Sequence, residues 1–78
     1  MKTLNLKSTK YHHIDDKVLN FIIDNDKPVK IVIGDSDKRK RTAIILIDKI
    51  GFDWHYKDWN DSLSIVVTDT KEKLIENN

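Results

Sequence analysis

Four consecutive cations, Lys38, Arg39, Lys40 and Arg41, follow directly on the segment IVIGDSD at 31–37. Cations of this density neutralise phosphate charge, and nearby hydroxyls add hydrogen bonds that fix an anion in place. Ser36 stands just ahead of the run, and Gly34 lets the chain turn sharply after the apolar triplet. Lys7 and Ser8, in LKST at 6–9, repeat the pairing of cation and hydroxyl. Lys57 adds a cation near the indole of Trp59, a ring on which a base can stack. The competing explanation is a solvated helix start in which Asp35 and Asp37 pair with the basic side chains. Basic residues at a helix start oppose the helix dipole, which counts against a purely structural purpose.

Other chemistries find less support. HHIDD at 12–16 sets His12 and Asp16 four apart, but adjacent histidines share a ligand poorly and no further ligand stands at a zinc-site spacing. His55 lies in a strand pattern and reads as exposed. Neither Ser8 nor Ser36 has an identifiable base and orienting partner, as a nucleophile requires. Gly34 alone makes no phosphate-cradling loop, and GxxxxGK[ST] is absent. No catalytic residue, metal ligand or cofactor is therefore expected. Trp54 and Tyr56 read as packing, leaving Trp59 as the stacking candidate.

The elements that must position these residues belong to one small domain. The chain has 78 residues and no cysteine, so disulfides and thiolate metal sites are excluded. Its 14 basic and 13 acidic side chains give a net charge of +1, so electrostatic recognition has to come from local clustering. The longest apolar run, 43–47, is far too short to span a bilayer. MKTLNLKSTK lacks the apolar stretch of a signal peptide, so the expected setting is the cytoplasm.

LNL at 4–6 alternates as a short edge strand. Ile14, Val18, Phe21 and Ile22, widened by Leu19 and Ile23, form the stripe of an amphipathic helix over about 14–25. Ser8 or Thr9 is its expected cap, Asp15 and Asp16 complement its dipole, and Pro28 ends it. VKIVI at 29–33 is a β-branched strand. A second helix runs over about 37–50, capped by Asp35, Ser36 or Asp37 and stopped by Gly51. It buries Ala43, Leu46, Ile47 and Ile50, and leaves Ile45 facing outward with Arg41, Asp48 and Lys49. FDWHYKDW at 52–59 alternates aromatic and polar residues, Asn60 and Asp61 supply a turn, and LSIVVTD at 63–69 returns. Residues 1–70 make the domain and 71–78 a short tail.

The order is βαβαββ: an α/β two-layer fold with a four-stranded mixed sheet. Right-handed crossovers place both helices on one face. The two most continuously apolar strands belong in the centre, giving sheet order 1-2-4-3. Strand ends and helix starts then share one rim, where ligands of such sheets bind. That rim gathers Lys7, Ser8, Lys38, Arg39, Arg41, Lys57 and Trp59.

This layout resembles the small MutS-related (Smr) domain, a βαβαββ fold also found in the C-terminal domain of bacterial translation initiation factor three. LNLKS is similar to the family's opening LDLHG, and VKIVIGDSDKRKRTAIILIDKI to its VxIIHGxGxGxLRxAV segment. Smr domains bind branched DNA or RNA and many are nucleases, so the resemblance implies nucleic-acid binding. Asn5 stands at the LDLHG aspartate, Lys7 at its histidine and Ser8 at its glycine; Ile33 replaces the HGxG histidine, and Ser36 its second glycine. These departures imply that nuclease chemistry is lost. An Alba-type chromatin protein shares the element order, but its early glycine loop is missing here.

Two classes of function follow. One is a nucleic-acid-binding module without nuclease activity. The other is a protein-interaction or inhibitory module that uses Ile45 or an edge strand to meet a partner or a second copy. Neither needs a membrane.

Overall fold

The computed structural model describes residues 1–58 and 61–70. Its elements run β1 (Thr3–Asn5), α1 (Tyr11–Asp24), β2 (Val29–Val32), α2 (Asp37–Lys49), β3 (Phe52–Asp58) and β4 (Asp61–Thr70). They form a four-stranded sheet of order β1-β2-β4-β3. β1 lies parallel to β2, and β4 runs antiparallel to both of its neighbours. The expected βαβαββ mixed sheet is thus present. Trp59, Asn60 and the tail 71–78 lie outside the described residues, as do the stacking and turn roles assigned there.

The apolar pattern explains the layering. Ile31 pairs with Ile65 and Val29 with Val67 across the central strands, and these side chains are fully buried. Ile14, Val18 and Ile22 from α1 and Ala43 and Ile47 from α2 cover them, with Leu6 and Ile33 closing the rim end of the core. In a sheet, the alternate residues take the opposite face. There Thr3, Lys30, Val66 and His55 form one cross-strand row, and Asn5, Val32 and Ser64 a second. Val66 and Ser64 are buried even so, because β4 is central and has a neighbour on either side.

Helix α1 departs from expectation at its start. It begins at Tyr11 with Lys10 in the cap position, and no side chain caps it. Thr9 is instead buried in the preceding turn, where its N–H donates to the Leu6 carbonyl at 3.0 Å. Asp15 and Asp16 consequently fall beyond the first turn, too far along to complement the dipole there. Ile23, expected to widen the stripe, is exposed. The helix ends at Asp24, before Pro28.

Helix α2 behaves as its sequence requires. Ser36 Oγ accepts from the Arg39 N–H at 3.2 Å, and Asp37 lies in the first turn and Lys49 in the last. Gly51, at φ +90°, ends the helix as only glycine does without strain. Leu46 and Ile50, with flanking Ile44, are partly buried, and Ile45 is 58% exposed. Among the described residues, no helix is long and apolar enough to cross a membrane.

Candidate functional site

The ends of β1 and β2 lie side by side, so the turns that follow them meet. The Leu6 N–H donates to the Val32 carbonyl at 2.7 Å, carrying the pairing one residue past β1. Lys7 then leaves the sheet, its own N–H donating to Asn5 Oδ1 at 2.9 Å. On the neighbouring strand, the N–H groups of Ile33 and Gly34 both donate to the Leu63 carbonyl, at 2.8 and 3.1 Å. Gly34 adopts φ +87°, which turns the chain towards α2. Lys7, Gly34, Asp35, Arg39 and Leu63 line the resulting cleft of about 260 Å³.

Arg39 ties the two turns together. It is partly buried, and its Nη2 donates to the Thr9 carbonyl at 3.4 Å. Its Nε is buried without a hydrogen-bond partner among the described residues. Beside it, the exposed ring of Tyr11 lies under two cations, with Lys38 Nζ 4.4 Å and Arg39 Cζ 5.7 Å from its centroid. The Tyr11 hydroxyl lies 3.4 Å from Ser36 Oγ, within hydrogen-bonding distance. This links the start of α1 to the cap of α2.

The basic run does not act as one patch, because successive helical residues turn about 100°. Lys40 and Arg41 point to the other flank of α2, where they line a groove of about 380 Å³ with Asp37, Ile44, Ile45 and Tyr56. Lys40 Nζ sits 5.6 Å from the Tyr56 ring centroid. Ile45 also borders a smaller groove between the helices, lined with Asp15, Thr42, Leu46 and Lys49.

Of the residues singled out from sequence, Lys7, Gly34 and Arg39 meet in the cleft. Ser36 is occupied as the helix cap. Lys38 stands over Tyr11, and Ser8 is exposed in the 6–9 turn. Arg41 faces the second groove, and Lys57 is exposed on the edge strand β3. Lys40, Leu63, Tyr11 and Tyr56 were not among the candidates. The helical angle places Lys40 with Arg41, but nothing local to Tyr11 or Tyr56 signals that each lies under a cation from α2.

The expected pairing of Asp35 and Asp37 with the cations does not occur: among the described residues, neither forms an ion pair with the run 38–41. His12 and His13 are exposed, with ring centroids 4.1 Å apart. Among the described residues, no group of three or more His, Cys, Asp or Glu is placed to hold a metal ion. No protein-family model matches the chain, and no curated protein or solved structure matches it.

Proposed function

We propose that this domain is a small nucleic-acid-binding module that holds backbone phosphates at the cleft between the 6–9 turn and the start of α2, and does not cleave them. The observation that carries this reading is the convergence of Lys7 and Arg39, from distant parts of the chain, on one cleft with Asp35 its only acidic lining residue. Lys38 stands beside the cleft without a carboxylate partner among the described residues. The buried, unpartnered Nε of Arg39 adds support. A buried donor left unpaired costs about 1–3 kcal/mol, and such costs collect at functional sites. The likeness of LNLKS and VKIVIGDS to Smr segments carries the same expectation.

Hydrolysis would need a metal or a poised base to activate water. Lys7 stands where the Smr first-strand motif has its histidine, and an ammonium is no base at neutral pH without a large downward shift. Ile33 stands at the other histidine and is buried in the core. Asp35 and Asp37 belong to the turn and the first turn of α2.

A salt-titrated binding panel of single-stranded, duplex and branched DNA and RNA tests the reading. Affinity falls steeply with salt, the log–log slope being about 0.9 per phosphate neutralised on duplex DNA and about 0.7 on single strands. Absence of binding at low salt overturns the proposal. The exposure of Ile45 between two grooves favours a second reading, a protein-interaction module, and salt-insensitive capture of a protein partner would support it instead.

A further inference from the structure

Two tyrosines on opposite flanks of the start of α2 share one arrangement. Tyr11 is 43% exposed and Tyr56 39% exposed, and neither belongs to the core cluster. Each ring lies under a cation from the same helix turn: Lys38 and Arg39 over Tyr11, Lys40 over Tyr56. Each is also held in place from behind. The Tyr11 hydroxyl meets Ser36 Oγ, and Tyr56 stands in edge contact with Trp54, ring centroids 5.4 Å apart at 81°. Trp54 is itself fixed by packing on the core and by donating from Nε1 to Asp48 Oδ1 at 3.2 Å. Rings anchored in this way lose little freedom when a ligand settles on them.

From this pairing of aromatic faces with side-chain cations, we infer that the ligand of this surface is single-stranded nucleic acid, its bases stacked on Tyr11 and Tyr56 and its phosphates beside Lys38, Lys40 and Arg41. The inference rests on the nucleic-acid-binding reading above and narrows it to one class of ligand. A duplex keeps its base faces inside the stack and offers only groove edges, so two exposed rings would find nothing to stack on. A single strand offers base faces and phosphates in alternation, the two things this surface presents partners for. An acidic peptide would satisfy the cations but leave the rings unused. The two rings stand on either side of a helix turn, a span of about 10 Å, so several nucleotides are needed to reach both.

The test uses the whole chain and measures binding at low and moderate salt to an oligothymidine of about 12 nucleotides, within the 4–16 that single-strand grooves cover. The comparison ligands are an abasic strand of the same length, a duplex of that length, and polyglutamate. The expected result is oligothymidine bound at least tenfold more tightly than the other three. Tyr11→Leu and Tyr56→Leu each weaken oligothymidine binding about tenfold, leave abasic-strand binding unchanged, and melt as the parent does. Tyr56→Phe restores binding. Equal affinity for the abasic strand and oligothymidine, with normal salt dependence, overturns the stacking inference and leaves the nucleic-acid reading standing. Polyglutamate bound as tightly as oligothymidine also overturns it. Failure of every nucleic acid to bind overturns both.

Discussion

Lys7 lies across Gly34 so closely that a Cβ built on the glycine would sit 3.2 Å from Lys7 Cγ. The two residues end adjacent parallel strands, and the missing side chain of one makes room for the stem of the other. Gly34 also holds φ +87°, so the position is closed to other residues on two counts. The cleft depends on both.

Gly34→Ala is therefore expected to destabilise the domain by about 1–2 kcal/mol, the cost of a left-handed conformation for an L-residue, and to push the Lys7 side chain aside. A lowered denaturation midpoint at unchanged slope, together with weaker nucleic-acid binding, is the expected outcome. An unchanged midpoint would refute it.

Ser36→Ala removes the cap that accepts from the Arg39 N–H, and is expected to cost about 1 kcal/mol. Ser36→Asp keeps an acceptor there and melts close to the parent. Thermal melts of the two variants decide whether the hydroxyl caps the helix as the geometry indicates.

The cations divide by flank, which separates two triple variants. Lys38→Ala/Arg39→Ala/Arg41→Ala is expected to keep a cooperative melt while weakening nucleic-acid affinity. Lys7→Ala/Lys38→Ala/Arg39→Ala, which strips the cleft side alone, loses more phosphate affinity. Its salt slope becomes shallower by about 0.7 to 0.9 for each phosphate contact removed. Unchanged affinity in both folded variants would remove the cleft from the binding surface.

No cleavage of DNA or RNA is expected from the purified chain in Mg²⁺, Mn²⁺ or EDTA. The decisive contrary result is cleavage that follows the protein through purification and vanishes in an Asp35→Ala/Asp37→Ala variant. It would turn the capping segment into a metal-dependent site.

Ile47 and Ile45, two residues apart on α2, should respond very differently to truncation. Ile47 is fully buried, and Ile47→Ala is expected to cost about 2–5 kcal/mol, a large share of what a domain of this size has. Ile45→Ala, on the exposed side, should stay within about 0.5 kcal/mol. Urea titrations of both report directly on the layering.

Strand order was legible because burial on both faces leaves a mark in the chain. VKIVI and LSIVV are nearly continuous in apolar residues, and they are the two central strands. The start of α1 was not legible, since Ser8 and Thr9 carry capping chemistry while Lys10, which occupies the position, carries none. Within the basic run, the divergence of Arg39 from Arg41 follows from helical angle alone, once the helix start is known. The roles of Tyr11 and Tyr56 depend on packing between elements distant in sequence. Alternation in β3 marks Tyr56 as facing the helix side, but only the tertiary fold shows that it sits at the sheet edge beneath Lys40.

The sheet order also governs how the chain comes to be folded during synthesis. β4 is the last strand made, yet it lies between β2 and β3 and supplies Ile65 and Val67 to the centre. Until it emerges from the ribosome, β2 has one unpaired edge, β3 has no partner, and the helices have half a floor to rest on. A nascent chain stopped before residue 61 thus exposes apolar strand edges that the finished molecule hides, and a chaperone should hold it longer than the full-length chain.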